Sequence, residues 1–447
     1  MTDTKVPTSI KPKLTTFDAT MIVVSLIIGI GIFRTPAMVA AAARTPALFY
    51  AAWGLGGLVS LAGALIFAEI GGRFARPGGY YKVVAESYSS GLAFMLNWTN
   101  VVVLNGAGAA AVALIGAEYL APIVFPKAVP TTATVQATAV VLIGGLLVIN
   151  YLGIKTGAWA QNVLSVLKVV MIGILAAAAF LSKKAPEGPA ALPLDRPWLF
   201  ALGVAFIYVF YAYGGYQNTI NFGADVRDAR RNVPRAIFFG ILIVLACYLT
   251  INAAYVRALG VPGIAAAKLV AAETARVTLG ETGMLVVSLA IFLSAMGFLN
   301  VTLMQIPRVY YSMAEDRTLP AIFHKVNPRT QAQEFGLLFL GGIILVSIFL
   351  LGTFENIVNY VMFLDTITLA VVSSSVFFLR RKARLAGEAY TGYRVPLYPV
   401  LPILFVAFML VIAANVLVTQ TREALYGTAF FAAGFPVFLL MRRVSRR

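Results

Sequence analysis

The sequence has very few of the residues that carry out enzyme chemistry or bind metals. Its 447 residues include one cysteine, Cys247, and one histidine, His324. A disulfide within the chain is therefore impossible, and cysteine-ligated metal sites are excluded. No convincing pair of nucleophile and general base is visible. We therefore predict that the chain is not an enzyme and holds neither a cofactor nor a metal.

Charged residues are also scarce. Only 12% of the residues are charged, whereas 60% are hydrophobic and the mean hydropathy is +0.86. This composition is too apolar for a water-soluble domain of this size. Apolar stretches of about 20 residues recur along the chain, as transmembrane helices require, and the alternating ten-residue pattern of a membrane barrel is absent. The predicted fold class is therefore an all-α integral membrane protein, with the lipid bilayer as its surroundings.

Acidic residues are outnumbered by basic ones, 18 to 35, which gives a formal net charge of +17. Such an excess can indicate a nucleic-acid partner. Basic residues clustered in short loops beside apolar spans are, however, the expected signature of membrane topology. We therefore predict no nucleic-acid partner, and we place both termini in the cytoplasm because most of the basic residues then lie on that side.

The apolar stretches predict twelve transmembrane helices. They lie at about residues 17–44, 47–71, 91–121, 136–152, 157–182, 198–224, 234–259, 282–315, 335–353, 354–379, 397–419 and 424–442. The first ten form two sets of five, each with a glycine break in its first helix. Because five is odd, the two sets have opposite orientations and predict an inverted repeat with a site near the midplane.

These spans divide the chain into six predicted segments. They are a cytoplasmic N-terminal tail (1–16), the first repeat (17–182), an extracellular linker (183–197), the second repeat (198–382), helices 11 and 12 (383–442) and a cytoplasmic C-terminal tail (443–447).

The first break is the sequence Ser-Leu-Ile-Ile-Gly-Ile-Gly-Ile-Phe at residues 25–33. Glycine costs a helix interior about 1 kcal/mol relative to alanine, and an opened backbone is tolerated in a membrane only where it is buried in protein or lines a cavity. The amides of Gly29, Ile30 and Gly31 are expected at the positive end of a helix dipole. They would suit an anion such as a carboxylate.

The second break lies in Phe-Tyr-Ala-Tyr-Gly-Gly-Tyr at residues 210–216. Carbonyls freed around Tyr211, Ala212 and Gly214 would end a half-helix and suit an ammonium group. A ligand with both groups on one carbon is an α-amino acid. The alternative is that the glycines only permit close helix packing. Paired breaks in the two halves favour a transport site.

Two charged residues fall near the middle of apolar spans. Burying the Lys168 ammonium is expensive, so it is expected to face the bundle and meet carbonyls or hydroxyls. Asp365 could bind a proton, recognise a polar or cationic substrate side chain, or act as a static hydrogen-bond partner. The basic run from Arg227 to Arg235 is expected to fix topology and to form salt bridges with nearby acids, and Asp225 could serve an inner gate. Glu69, near a predicted helix end, is expected to be an interfacial or capping group.

Several motifs resemble the amino acid–polyamine–organocation transporters, and within them the L-type amino acid transporter branch. They are Gly-x-Gly-Ile-Phe at 29–33, Phe-Ala-Glu-Ile-Gly at 67–71, Pro-Gly-Gly-Tyr-Tyr at 77–81, Ala-Tyr-Gly-Gly-Tyr at 212–216, Asn-Val-Pro-Arg-Ala-Ile at 232–237, the spacing of Tyr248, Asn252 and Tyr255, and Arg-Val-Tyr-Tyr-Ser-Met-Ala-Glu-Asp at 308–316. The resemblance covers nearly the whole chain. It implies a LeuT-type fold of five plus five helices with two extra ones, alternating access and secondary transport of amino acids.

The resemblance also implies roles for individual residues. Tyr211 matches an aromatic gate, and Lys168 matches a lysine whose amine replaces a sodium ion and braces helix one, so sodium independence is expected. Ile30 stands where the family often has serine, and Tyr216 replaces a common tryptophan, which changes the pocket. Asn105 is a candidate for the pocket wall. The predicted substrate-binding residues are Ile27, Gly29, Ile30, Gly31, Asn105, Tyr211, Ala212, Gly214, Tyr216 and Asp365.

The leading functional prediction is a sodium-independent exchanger of small or medium neutral L-amino acids in a plasma membrane, most simply a prokaryotic inner membrane. A proton-coupled symporter and an exchanger of cationic amino acids or polyamines remain alternatives. A channel is disfavoured because no selectivity filter or arginine-rich voltage helix is visible. Animal relatives attach a glycoprotein through a cysteine between helices three and four. Residues 122–135 contain no cysteine, so no disulfide-linked subunit is expected.

Overall fold

The computed structural model describes residues 12–29, 31–74, 78–124, 131–183, 186, 190–267, 269–350, 354–419 and 421–444. Across these ranges the chain consists of helices joined by short connections, with no β-sheet. The first part contains α1 (Thr16–Ile27), α2 (Gly31–Ala43), α3 (Pro46–Arg73), α4 (Gly79–Ser87), α5 (Ser90–Thr99), a π-helix (Asn100–Ala107), α6 (Gly108–Val124), α7 (Thr132–Tyr151) and α8 (Ile154–Leu181).

The second part also begins with a helix that stops early. It contains α9 (Trp198–Tyr213), a 3-10 helix (Tyr216–Phe222), α10 (Ala229–Ala266), α11 (Val270–Glu315), a second 3-10 helix (Ala321–His324), α12 (Glu334–Leu350), α13 (Phe354–Leu385), α14 (Val400–Thr419) and α15 (Thr421–Val444). The all-helical membrane architecture predicted from composition is therefore confirmed.

Among the described residues, eleven helical segments are long and apolar enough to cross a membrane. The predicted span at 335–353 corresponds to α12, an apolar helix of 17 residues. It is shorter than the roughly 20 residues that a span needs, and residues 351–353 lie outside the described part of the chain. The described residues thus contain eleven helical segments long enough to cross a membrane and one shorter apolar helix, where the sequence predicts twelve spans.

Two helices extend beyond a single span because a glycine bends each of them. In α10 the bend is at Gly260, whose φ is +65°, and in α11 it is at Gly280, whose φ is +78°. Residues other than glycine rarely adopt such angles. The predicted span boundaries at 259 and 282 fall beside these two bends, so each helix consists of a spanning part and a peripheral part.

The first helix begins at a capping box. The Thr15 hydroxyl accepts the Asp18 amide at 3.2 Å, and the Asp18 carboxylate accepts the Thr15 amide at 2.8 Å. This reciprocal pair satisfies two backbone donors that a helix start leaves without partners. From this start, α1 and α2 cross the bundle in one direction and α3 crosses it in the other. Arg73, at the end of α3, therefore lies on the same face as residue 14. We call this the inner face.

Glu69 lies near the inner face, but it is buried rather than interfacial. Its carboxylate accepts hydrogen bonds from Arg380 at 2.6 Å, from Arg73 at 2.8 Å and from the Val395 amide at 2.7 Å. The expectation of an interfacial group is corrected because these donors surround both oxygens. The buried carboxylate ties α3 to α13 and to the segment before α14.

Candidate functional site

The two glycine breaks lie against each other in the middle of the bundle. α1 ends at Ile27 and α9 ends at Tyr213. A Cβ atom added to Gly215 would lie 2.2 Å from the Leu26 carbonyl oxygen, and one on Gly31 would lie 3.4 Å from the Ala212 Cα. The φ of Gly215 is +123°, so both its conformation and its surroundings require glycine. The sequence predicts each break, and the structure brings the two together.

A tyrosine from α10 connects the two breaks. The Tyr248 hydroxyl lies 3.0 Å from the Ile27 carbonyl oxygen and 3.0 Å from the Ala212 carbonyl oxygen. Its fully buried ring packs against Trp53 and Tyr213, with ring centroids 5.8 and 4.9 Å apart. Tyr248 therefore shares one proton between the carbonyls at the ends of two half-helices. Sequence reasoning gave this residue no role in the site, because its spacing to Asn252 and Tyr255 carries no information about its partners.

A cavity of about 130 Å³ lies between the breaks. It is small beside the roughly 300–1,000 Å³ of sites that bind drug-sized ligands. The predicted residues that line it are Ile27, Gly29, Gly31, Asn105, Tyr211, Ala212, Gly214 and Asp365. Residues that sequence reasoning missed also line it, namely Leu26, Asn100, Leu104, Val112, Gly215, Gln217, Asn218 and Phe298. Ile30 lies outside the described residues.

The polar backbone groups at the breaks are only partly free. The Gly29 amide donates to the Ile27 carbonyl at 2.8 Å, because residues 27–29 close a tight turn. The expectation that this amide is available to a ligand is therefore corrected, and amides from the start of α2 at Gly31 remain. The Tyr211 carbonyl accepts the Gly214 amide at 3.1 Å. A carbonyl has two lone pairs, so this oxygen retains capacity for a second donor.

Tyr216 does not line the cavity. Its ring packs edge-on against Phe67 with centroids 5.9 Å apart, and its buried hydroxyl has no partner among the described residues. A Cβ atom on Gly63 would lie 2.1 Å from this hydroxyl. The side chain points toward α3 because the backbone has turned by the start of the 3-10 helix. The tyrosine that faces the cavity is Tyr211, which is half-buried.

Asp365 places an acidic group on the cavity wall. It lies on α13, is half-buried, and makes no hydrogen bond or ion pair with any residue that the structure describes. Its charge is within electrostatic reach of Tyr80, Tyr211 and Tyr216. A static hydrogen-bond role therefore has no partner in the described chain. The carboxylate is available to a ligand or a proton.

Lys168 lies behind the first break rather than in the cavity. Its side chain is 2% exposed, and its ammonium donates to the Ser25 hydroxyl at 2.6 Å and to the Ile28 carbonyl at 2.8 Å. A Cβ atom on Gly297 would lie 2.9 Å from the Nζ atom. The ammonium thus meets one hydroxyl and one carbonyl, as the cost of burying a charge requires. It holds the end of α1 against α8 and α11.

A second polar network leads from the cavity toward the inner face. The Asn105 amide donates to the Asn100 carbonyl at 2.9 Å, and the Gln305 amide donates to Asn105 at 3.0 Å. The Asn221 amide lies 3.4 Å from the Gln305 side-chain oxygen. The π-helix places residues five apart on one face, which aligns Asn100 with Asn105. Two asparagines five residues apart in an apolar run are the only sequence signal for this arrangement.

At the inner face, a buried ion pair joins the loop after the second break to α11. The Asp225 carboxylate lies 2.5 Å from the Arg308 Nε atom, and both side chains are almost fully buried. Leu14 pairs with this loop, since its amide donates to the Asp225 carbonyl at 2.8 Å and its carbonyl accepts the Arg227 amide at 2.9 Å. Asp225 therefore pairs with Arg308 and not with the basic run that follows it. Residues 13–14, the loop and α11 are fastened together.

We expect Asp225→Asn to destabilise the protein more than the double variant Asp225→Asn/Arg308→Gln. Removing one partner of a buried ion pair costs about 3–5 kcal/mol, because the remaining charge stays buried without its counterion, whereas replacing both charges is often close to neutral. Thermal unfolding of the purified protein in detergent measures the difference. A double variant that unfolds at or below the temperature of the single variant would contradict the pairing.

Comparisons with known proteins identify a family for the chain. The profile of the amino acid permease family matches residues 14–439. The serine/threonine exchanger SteT of Bacillus subtilis is 28% identical over 428 residues, which cover 95% of this chain and 95% of that protein. The b(0,+)-type amino acid transporter 1 of Homo sapiens is 24% identical, covering 97% and 88%. The Asc-type amino acid transporter 1 of Homo sapiens is 26% identical, covering 97% and 82%.

Proposed function

Because the chain belongs to the amino acid permease family, we propose that it is a sodium-independent exchanger of small or medium neutral L-amino acids that works by alternating access. The family and the similar proteins are transporters, so the prediction that the chain is not an enzyme is confirmed. It is a multi-pass membrane protein with eleven long apolar helices in its described part. The meeting of the two helix breaks at one small cavity is the observation that carries the proposal.

The two poles of this cavity suit the two charged groups of an α-amino acid. The start of α2 at Gly31 directs first-turn amides and the positive end of a helix dipole toward it, which favours the carboxylate. The end of α9 directs the carbonyl oxygens of Tyr211 and Ala212 toward the same space, which favours the ammonium group. The volume of about 130 Å³ favours a small side chain. We assign Tyr211 the role of gate because it lines this small cavity at the end of α9.

Sodium independence rests on Lys168. Its ammonium bonds to the Ser25 hydroxyl and the Ile28 carbonyl, which are oxygen ligands of the kind that a small cation takes. An ammonium group tethered at this position would take the place of a dissolved cation. The proposal includes a LeuT-type arrangement of two inverted five-helix repeats with two further helices, and cytoplasmic termini. It includes no disulfide-linked subunit, since Cys247 lies within α10 and is the only cysteine.

Exchange measured in proteoliposomes tests this function. Vesicles preloaded with a mixture of amino acids are compared with empty vesicles, each with and without an inward proton gradient and in sodium or choline buffer. We expect uptake of radiolabelled serine, threonine or alanine only into preloaded vesicles, with the same rate in both buffers. Uptake into empty vesicles that requires the proton gradient would replace exchange with symport. No uptake of any amino acid would refute the proposal.

Proton coupling and cationic substrates remain a second candidate because Asp365 lines the cavity without a partner. Under the leading proposal, Asp365 recognises a polar substrate side chain. Asp365→Asn is then expected to raise the KM for serine about fivefold relative to that for alanine, since a hydrogen bond to a charged acceptor exceeds one to a neutral acceptor by about 1 kcal/mol.

The matched control for this change is Asp316→Asn, because Asp316 contacts Lys82 at the inner face, away from the cavity. Its serine-to-alanine ratio is expected to equal that of the wild type. Loss of alanine uptake in Asp365→Asn, together with loss of any response to a proton gradient, would instead assign Asp365 to proton coupling. Loss of uptake confined to cationic amino acids would indicate that Asp365 binds the side chains of those substrates.

A further inference from the structure

A second recess, which we call the inner groove, lies between α3 and α10 at the inner face. Its volume is about 710 Å³, several times that of the central cavity. Ala64 and Ala68 of α3 form a floor of small side chains, and residues 391–393 close one end. Phe238 on α10 forms part of the wall and is 41% exposed. The groove therefore opens toward the surroundings of the helix bundle and not toward the substrate cavity.

The lining changes from basic to apolar along one face of α10. Arg231, Arg235 and Phe238 all line the groove and occupy positions i, i+4 and i+7 of the helix. A helix rises 1.5 Å per residue, so Phe238 lies about 10 Å farther along the axis than Arg231. The headgroup region of a bilayer is about 5–8 Å thick on each side. The arginines thus lie at headgroup depth when the phenylalanine lies at acyl-chain depth.

Arginines outnumber acidic residues at the basic end of the groove. Arg230, Arg231 and Arg235 are exposed and make no hydrogen bond or ion pair with any part of the chain that the structure describes. Asp228 is the one acidic residue among the described lining residues, so the lining carries a net positive charge. The basic run was expected to form salt bridges with neighbouring acids, and three of its arginines instead line one recess. Guanidinium groups bind phosphate through paired N–H donors.

We propose that the inner groove binds one anionic phospholipid. The phosphate lies among Arg230, Arg231 and Arg235, and one acyl chain follows Phe238 and Leu65 over the floor of small residues. A free phosphate would leave the apolar wall without a partner, and an uncharged lipid would leave the arginines without one. Only a molecule with an anionic head and an apolar tail satisfies both ends. The lipid would also hold the inner end of the helix that carries Tyr248.

Native mass spectrometry of the full-length protein tests this site directly, and its readout does not depend on transport. The protein is released from nanodiscs of phosphatidylcholine that contain a minor share of phosphatidylglycerol with the same acyl chains. We expect the wild type to retain phosphatidylglycerol preferentially. In the variant R230Q/R231Q/R235Q this preference is expected to fall about 100-fold, because three arginine contacts with the anionic headgroup are lost.

The matched control is R317Q/R329Q/R443Q, which removes three exposed arginines that lie outside the groove. It carries the same change of net charge and is expected to retain the preference of the wild type. A second variant, Leu65→Trp, fills the apolar part of the groove without changing any charge, since Leu65 is half-buried there. It is expected to reduce retention of phosphatidylglycerol as well.

Four results would overturn the proposal. The first is an unchanged preference in R230Q/R231Q/R235Q. The second is an equal loss in the control variant, which would make the effect one of total charge. The third is displacement of phosphatidylglycerol by millimolar inorganic phosphate in the same nanodiscs, which would make the groove a site for a free anion. Retention by Leu65→Trp at the wild-type level would likewise remove the acyl chain from the groove.

Discussion

Replacing Lys168 with methionine is expected to reduce amino acid exchange in proteoliposomes about 100-fold or more. Methionine has a similar length and no charge, so it removes the ammonium bonds to the Ser25 hydroxyl and the Ile28 carbonyl. Each hydrogen bond to a charged group contributes about 1.5–3 kcal/mol, and 1.4 kcal/mol corresponds to a factor of ten. The position of the first break relative to α8 depends on these two bonds.

The control for this change is Lys382→Met. Lys382 lies near the end of α13, its side chain is 65% exposed, and its contact with Glu86 is 3.4 Å long. Exposed ion pairs contribute little, at most about 1 kcal/mol, so exchange by this variant is expected to match the wild type. Both variants are first checked for a single symmetric peak in size-exclusion chromatography. A folded Lys168→Met protein with wild-type exchange would show that the ammonium does not support the site.

A second variant keeps the ammonium group but shifts its position. Gly297→Ala keeps the lysine but places a Cβ atom 2.9 Å from Nζ and 3.1 Å from the Ser25 hydroxyl oxygen. The lysine end must then move, because both atoms would be closer than van der Waals contact allows. We expect exchange between that of the wild type and that of Lys168→Met. Exchange by Gly297→Ala at the wild-type rate would mean that transport does not depend on the position of the ammonium group.

Local irregularities in the sequence predicted much of this arrangement. Paired glycines in an apolar run predicted both helix breaks, because glycine is unfavourable in a helix interior unless the backbone must open or approach another chain segment. A lone charge in an apolar run predicted that Lys168 faces protein rather than lipid, and the family resemblance placed Asp365 beside the substrate. Such signals are readable from one sequence because each is a departure from the average composition of a span.

The partners of these residues could not be predicted in the same way. A span that is apolar all round gives no hydrophobic stripe to show which face packs inward. Tyr216, which the family resemblance placed at the cavity, turns toward Phe67, and Tyr248 received no role although it bonds to both breaks. The π-helix that aligns Asn100 with Asn105 depends on tertiary packing, which sequence periodicity does not report.

Burial of Glu69 shows the same limit for charged residues near a helix end. Its place four residues before Arg73 is compatible with an exposed pair or with a buried network. The choice depends on Arg380, which is more than 300 residues away in the sequence and reaches the carboxylate at 2.6 Å. Long-range pairing of this kind leaves no periodic trace in a single sequence, so the sequence predicted an interfacial group where the structure has a buried one.

Gly215→Ala is expected to reduce exchange about 100-fold or more, because it forces the two breaks apart. The new Cβ atom would lie 2.2 Å from the Leu26 carbonyl oxygen and 2.6 Å from its carbon, both rigid backbone atoms. The residue would also keep a φ of +123°, which side chains rarely adopt. Overpacking costs about 1–3 kcal/mol and backbone strain of this kind costs a similar amount, so the combined penalty is about 2–6 kcal/mol.

Gly203→Ala is the matched control, because it makes the same change in the same segment. Gly203 lies in α9, and a Cβ atom there meets nothing within 4 Å. Alanine is favoured over glycine in a helix by about 1 kcal/mol, so this variant is expected to be at least as stable as the wild type and to exchange amino acids at the same rate. If Gly215→Ala exchanged as fast as Gly203→Ala, close contact between the two breaks would not be needed for transport. The pairing of half-helix ends across the cavity would then lose its functional role.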